Sequence, residues 1–394
     1  MIGEGLLVFE THPVQYRAPM YRLLQQQSGI PVTVVYGSDF SVAGYRDKGF
    51  GRRFAWDVDL LSGYQSIFLS RVSERGTAKA TVRGLSEVLR RQAPAAVLVV
   101  GYSPFYHQTA FFHSWRAGYP ILLRGEVLDS PLRGDPVRSW VRDLLLRPLY
   151  ARCSKILYIG QRSYQHYRRL GVGEAELVFS PYSVDAAAFQ CEESDRARLR
   201  GEARQALGIA EDKNVLLFSG KLVRHKGVEL LLRAVRNLPA EVRERIEILW
   251  IGSGKLEAAL ALQSQNPPLV KGHFPGFQNQ SQMSRYYHAA DLLVLPSWRE
   301  TWGLVVNEAL HHGLPAIVSE AVGCAPDLVK LGCTGEIFKT GSAKELAAAI
   351  QRGLILAGRS EIRERCRDQV RGYSVGKAAE GIARAYRSVV TGPR

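Results

Sequence analysis

The chain runs to 394 residues with 46% hydrophobic content, too long for one typical domain and apolar enough for two cores, so two domains are expected. A formal charge of +15 and a pI near 9.7 exceed what an enzyme of neutral small molecules needs and ask for an anionic partner. Five cysteines (Cys153, Cys191, Cys324, Cys333, Cys366) at irregular spacing, with no C-x-x-C pair, argue against a disulfide framework and a zinc site.

The start, MIGEGLLVFE, is acidic where a secretion signal would be basic, and no apolar run approaches the roughly 18 residues that span a bilayer. A soluble protein in the reducing cytoplasm is expected. Short apolar runs then alternate with helical stretches: Leu6–Phe9, Val32–Tyr36, Val97–Val100, Ile121–Leu123 and Ile156–Ile159. Such alternation implies βαβ units and a parallel sheet. Asp57 and Asp59 form a D-x-D, the metal-binding mark of some sugar-transfer enzymes, but they lie away from the strand ends and are discounted. Residues 116–169 hold 11 Lys/Arg against 4 Asp/Glu, and DPVRSWVRDLLLRPLYARCSK interleaves arginines with Trp140, Leu144, Leu145, Leu149 and Tyr150. A basic amphipathic helix of this kind suits an anionic membrane surface, and equally a solvated face of a basic protein. Nucleic acid is not expected, for want of a recognisable motif.

Near SPYSVDAAAFQCEESD the periodicity lapses, marking a linker at 186–195 between domains 1–185 and 196–374. A second alternating series follows: Val215–Phe218, Ile246–Ile251, Asp291–Leu295, Ala316–Val318 and Glu336–Phe338. The last helix, within 375–394, puts Ala378, Ile382, Tyr386 and Val389 on one face and needs a surface to cover.

The most informative stretch is SWRETWGLVVNEALHHGLPAIVS, from Ser297 to Ser319. A buried strand ends at Pro296, and about a dozen helix-competent residues follow from Gly303, with Thr301 as the expected N-cap and Gly313 and Pro315 as the stop. Glu300 and Glu308 flank the helix start. Eight helical steps span about 12 Å, whereas glycosidase carboxylate pairs sit about 5 to 9.5 Å apart, so the two are expected to bind different parts of one extended ligand.

This spacing resembles the E-x7-E signature of retaining family-4 glycosyltransferases of the GT-B fold. FSGKLVRHKG, DLLVLPSWRETWGLVVNEALHHGLPAIVS and TGEIFKTGSAKELAAAI follow the family's order over most of 214–352. The resemblance implies an α/β GT-B architecture: two Rossmann-like doubly wound domains facing a central cleft, an N-terminal acceptor domain and a C-terminal donor domain, with the last helix returning to the former. It implies transfer of a hexose from a nucleotide-diphosphate sugar to a hydroxyl acceptor, glycan or lipid-linked, with retention and without metal or other cofactor. Cell-envelope or exopolysaccharide synthesis is the expected setting, and the basic stretch 116–169 adds the expectation of a peripheral place on the cytoplasmic face of the membrane.

By the same resemblance, Lys221 and Lys226 grip the leaving diphosphate, where fixed cations offset the developing charge. Lys221 stands where arginine is commoner, keeping the charge without bidentate geometry. Glu308 takes the ribose hydroxyls and Glu300 the donor sugar. Gly220, Gly252, Gly254, Gly272, His273 and the backbone of Thr301, Trp302, Gly303 and Leu304 complete the donor contacts. Gly323 opens a loop resembling the family's Gly-Gly-x-x-Glu, with Cys324 and Asp327 in place of the second Gly and the Glu. In the N-terminal domain, His12 and Gln15 follow the first strand, and Glu126 occupies a slot where many members have histidine, close to Arg124. Glu126 either binds hydroxyls or takes the acceptor's proton, with Asp129 as the fallback base. His107 and His113 are expected to be structural. The rival readings are an epimerase or phosphorylase on the same fold, and an idle basic scaffold for membrane or polyanion.

Overall fold

The computed structural model describes residues 3–47, 52–54, 56–72, 79–126, 129, 136–265 and 270–391. Two units divide the chain: one comprises the residues up to Tyr45, Phe54–Ser183 and Tyr373 onward; the other comprises Arg46–Arg53 and Val184–Gly372. Each has its own parallel sheet.

The first unit contains β1 (Leu6–Glu10), β2 (Val32–Tyr36), β5 (Gln65–Phe68), β6 (Ala96–Val99), β7 (Ile121–Arg124), β8 (Lys155–Tyr158) and β9 (Leu177–Phe179), in spatial order β5-β2-β1-β6-β7-β8-β9. A separate two-stranded ribbon joins β3 (Tyr45–Asp47) to β4 (Arg52–Phe54). β1 is fully buried and pairs in parallel with β2 on one side and β6 on the other. Alternate side chains enter opposite layers, as the pleat requires. Leu6, Val8, Leu98 and Leu122 meet Met20, Tyr21 and Leu24 of helix α1 (Ala18–Ser28). Leu7, Phe9, Val97, Val99 and Leu123 meet Tyr106 and Phe111 of α2 (Phe105–Arg116), Leu146 and Tyr150 of α3 (Pro136–Tyr150), and Tyr167 of α4 (Gln161–Arg169). The sheet is thus covered on both faces, which is why its interior strands read as continuous apolar runs.

The second unit contains β10 (Asn214–Ser219), β11 (Ile246–Ile251), β12 (Lys271–Gly276), β13 (Leu292–Leu295), β14 (Ala316–Ser319) and β15 (Gly335–Phe338), in order β12-β11-β10-β13-β14-β15. One face packs Leu216, Phe218, Ile248, Trp250 and Val294 on Leu231, Leu232 and Val235 of α5 (Val228–Arg236). Helix Glu193–Leu207 opens this unit, beginning inside the stretch that the sequence marks as linker.

The C-terminal helix α7 (Val375–Val390) belongs to the first unit. Val375, Ala378, Ile382, Ala385 and Tyr386 join the core around α1, and Tyr386 Oη accepts from Gly5 N at 3.1 Å. Burying Ile382 alone stabilises by roughly 1.5–3 kcal/mol. Chain order reverses at β1/β6 in the first sheet and at β10/β13 in the second. In open α/β sheets, ligands bind outside the carboxyl ends of the strands that flank such a reversal.

Candidate functional site

The loops after β10 and β13 hold the lysines and the glutamate that the sequence assigns to the diphosphate and the donor sugar. β10 leads through Gly220 and Lys221 into a 3-10 turn, Arg224–Lys226, and then α5, whose N-cap is Gly227. β13 leads through Pro296 and Glu300 into α6 (Leu304–His311). The N-cap of α6 is Gly303 at φ 97°, not Thr301, which is exposed two residues earlier, and the helix is shorter than the dozen residues expected. Close backbone approach fixes these loops against one another. A Cβ on Gly227 would lie 2.0 Å from the Pro296 carbonyl oxygen, and one on Gly252 would lie 2.0 Å from that of Gly220. Only glycine admits such contact. Trp298 N donates to His225 O at 2.9 Å, tying the two loops directly.

Within this frame Lys226 Nζ forms an ion pair with Glu300, both partly buried. Lys221 is half-buried in the same loop, whereas Arg224 and His225 are exposed. Gly323 N donates to Glu300 O at 3.0 Å and Cys324 N to Trp302 O at 2.9 Å, so the loop that Gly323 opens holds the backbone of Glu300 and Trp302. Trp302 is core, its Nε1 donating to Asn307 Oδ1 at 2.8 Å.

Glu308 is buried on α6, where Tyr287 Oη donates to its Oε2 at 2.5 Å. The Tyr287 ring stacks on His312 at 4.8 Å between centroids. His312 Nδ1 lies 2.7 Å from Glu308 O, so that nitrogen carries the proton and Nε2 accepts from Ser284 Oγ at 3.0 Å. Burial lowers the His312 pKa to about 3. Sequence reasoning missed Tyr287 and His312, because nothing in a helix pattern marks a tyrosine as support for a carboxylate 21 positions away, or the histidine four residues after that carboxylate as the ring it stacks on.

Gly252 and Gly254 follow β11, and Gly272 lies on the edge strand β12. The side chain of His273 is buried, with Nε2 2.6 Å from Glu247 Oε2 on the neighbouring strand. That pairing engages the side chain within the sheet and leaves the backbone of Gly272 and His273 as the expected donor contact.

In the first unit, loops after β1 and β7 assemble a second polar cluster. Arg17, which precedes α1, reaches Glu126 Oε1 at 2.8 Å and Glu10 Oε1 at 2.7 Å, and Tyr182 Oη also donates to Glu126. Burial raises the Glu10 pKa, against the opposing pull of Arg17. The Glu126 partner is therefore Arg17 and not the adjacent Arg124. Arg124 is buried, donates to the Pro181 carbonyl at 2.9 Å and stacks on Tyr182 at 5.3 Å, so it holds the Ser180–Tyr182 segment. Asp129 is likewise engaged, by Arg169 at 2.7 Å, Arg142 at 3.2 Å and His166 at 2.9 Å. Although burial opposes it, hydrogen bonds from His166 and Arg169 hold its carboxyl well below the usual range, so it is a poor base. Gln15 is buried, and His12 packs on Phe40 with its pKa lowered to about 4 by burial and by Arg17. His107 is buried too, lowered to about 4 mainly by burial, with Nδ1 2.9 Å from Ser103 O. Asp59, of the discounted D-x-D, accepts from Leu61 N at 3.0 Å and pairs with Arg22.

Residues 200–372 match the family described as glycosyl transferases group 1. D-inositol 3-phosphate glycosyltransferase 1 of Catenulispora acidiphila is 31% identical over 210 residues, covering 50% of this chain and 49% of that protein. The lipopolysaccharide glucosyltransferase WaaG of Escherichia coli is 27% identical over 189 residues, covering 48% and 49%. The chain spans about half the length of the curated relatives it matches. Among solved structures, Anabaena HepE in complex with UDP-glucose superposes with a TM-score of 0.68 at 18% identity, covering 98% of this chain and all of that one. WaaG superposes at 0.65 with 18% identity over 98% and 100%. Residues 200–372 thus resemble the group 1 glycosyl transferases, and the chain as a whole shares the GT-B fold of these solved structures.

Proposed function

We propose that this protein is a retaining hexosyltransferase that moves a sugar from a nucleotide diphosphate donor to a hydroxyl acceptor without a metal, in cell-envelope or exopolysaccharide synthesis. The observation that carries the reading is the Lys226–Glu300 pair beside the reversal of the second sheet. Breaking the bond between the anomeric carbon and the β-phosphate oxygen leaves negative charge on the diphosphate, and Lys226 with Lys221 offsets it. Glu308, held by Tyr287, accepts hydrogen bonds from the ribose hydroxyls. Glu300 orients the sugar. In the first unit Glu126, oriented by Arg17 and Tyr182, accepts hydrogen bonds from substrate hydroxyls. Its exposure, with Arg124 and Asp129 both committed elsewhere, favours it over its neighbours. UDP-hexose is the first donor to try, since the HepE structure holds UDP-glucose; a lipid-linked glycan is the first acceptor, since WaaG is named a lipopolysaccharide glucosyltransferase.

The deciding experiment measures thermal shifts of wild type and Glu308→Ala with UDP, GDP, ADP, CDP and dTDP. At about 100 times the dissociation constant a ligand adds roughly 2.7 kcal/mol. A rise with one nucleotide that the variant loses supports the reading, and no rise with any of them sinks it. Donor turnover that needs no acceptor would point instead to an epimerase or phosphorylase.

A further inference from the structure

Fourteen large hydrophobic side chains are exposed among the described residues, and eight of them lie on α2 and α3. On α3 they are Val137, Trp140, Val141, Leu144 and Leu145, spaced so that they form one stripe along the helix. Trp140 is 66% exposed and Leu145 68%. Two polar residues of the same helix are turned the other way, while Arg147 flanks the stripe. Arg142 and Asp143 are partly buried, tied to Asp129 and to Arg169. A helix at the surface of a globular protein normally shows the reverse, apolar stripe inward and charge outward.

On α2, Phe105, Phe112 and Trp115 are exposed in the same manner. Both helices cover one layer of the sheet, since Tyr106 and Phe111 of α2 share a core cluster with Leu146 and Tyr150 of α3. Their outer faces therefore look out from the same side of the first unit. Arg152, just beyond α3, sits over the Trp115 ring at 5.0 Å and joins the two faces. Of the basic stretch 116–169, residues 127–128 and 130–135 lie outside the described residues.

We propose that this face is a docking surface for an anionic lipid bilayer, with α3 lying in the interface. Charge selects the occupant. Arg116, Arg147 and Arg152 are exposed around the stripe, while the nearby carboxylates Asp129 and Asp143 are already spent on Arg142 and Arg169. A second copy docked about a two-fold axis would set these arginines against themselves. Acidic headgroups answer them, and tryptophan with leucine fills the acyl boundary beneath. The inference stands apart from the transferase reading, because none of these residues belongs to the candidate site. No described helix is long and apolar enough to cross a membrane, so the contact is peripheral.

The test is flotation of the full chain with phosphatidylcholine vesicles, with and without phosphatidylglycerol, at low and high salt. Wild type is expected to float with the anionic vesicles and to be released by salt. The triple variant Trp140→Ser, Leu144→Ser, Leu145→Ser is expected to lose about ten-fold or more in partitioning, and Arg147→Ala about five-fold. All these side chains are exposed, so unfolding curves should match wild type and show that the fold survives. Equal flotation with both vesicle types, or none with either, overturns the proposal. So does a concentration-dependent dimer that the triple variant abolishes, which would assign the face to a second copy.

Discussion

Lys226 and Glu300, from the loops that follow two adjacent strands, hold each other in an ion pair with side-chain exposures of 21% and 16%. An arriving diphosphate competes with Glu300 for the ammonium group. Replacing Lys226 by Ala should therefore cost about 100-fold or more in donor turnover. Stability should change little, because partly exposed pairs are worth about 1 kcal/mol or less. Turnover and thermal unfolding, measured on one preparation, separate the two effects; unimpaired turnover would remove Lys226 from the mechanism.

Tyr287 touches Glu308 and is expected to act only through it. A hydrogen bond to a charged group contributes about 1.5–3 kcal/mol. Tyr287→Phe should thus weaken binding of the preferred nucleoside diphosphate about ten-fold or more. Calorimetry should also show the variant losing its discrimination against the 2′-deoxy nucleotide. A change in affinity with discrimination intact would give Tyr287 a merely structural role.

Two glycines should respond oppositely to alanine. Gly252 has φ 127° and a site for Cβ 2.0 Å from a carbonyl oxygen. The backbone conformation alone costs about 1–3 kcal/mol, and the clash adds to it. Gly201, inside helix Glu193–Leu207, has nothing within 4 Å of a Cβ, so Gly201→Ala should stabilise by about 0.5–1 kcal/mol. Urea unfolding of both variants checks the pair.

Acid should weaken the fold before the carboxylates titrate. His12 and His107 are lowered to about 4 and His312 to about 3, against about 6.5 in an unfolded chain. The unfolded chain binds more protons below that value, so the stabilisation is complete above about pH 6.5 and is lost as pH falls towards 4. Each histidine contributes a slope of at most about 1.4 kcal/mol per pH unit. Urea midpoints followed from pH 7 to 4.5 should fall, and His107→Asn should flatten the decline.

Every interior strand of both large sheets coincides with an apolar run that the sequence displays. Besides the small ribbon β3–β4, the strands it hides are β5, β9 and β12, all at edges of the large sheets. Edge positions tolerate polar residues, glycine and proline, as in KGHFPG of β12, so their periodicity is weak. Lys226, Glu300 and Glu308 stand out in the sequence because each lies in a short strand–loop–helix turn that the family resemblance marks, after β10 for Lys226 and after β13 for the two glutamates. Local spacing does not disclose that Arg17 serves Glu126, 109 residues away, or that Tyr287 serves Glu308. Partners of that kind are set by sheet order, which no short stretch of sequence records.

The seating of α7 against α1 has a consequence for biosynthesis. Tyr386 accepts a hydrogen bond from Gly5 N across 381 residues and shares a core with Leu6 and Met20. During translation the first unit emerges first, yet its apolar groove waits uncovered until the final helix leaves the ribosome. The intervening unit, complete by Gly372, is free to fold earlier. The half of the protein made first is therefore finished last, and its exposed groove is where a chaperone would be needed.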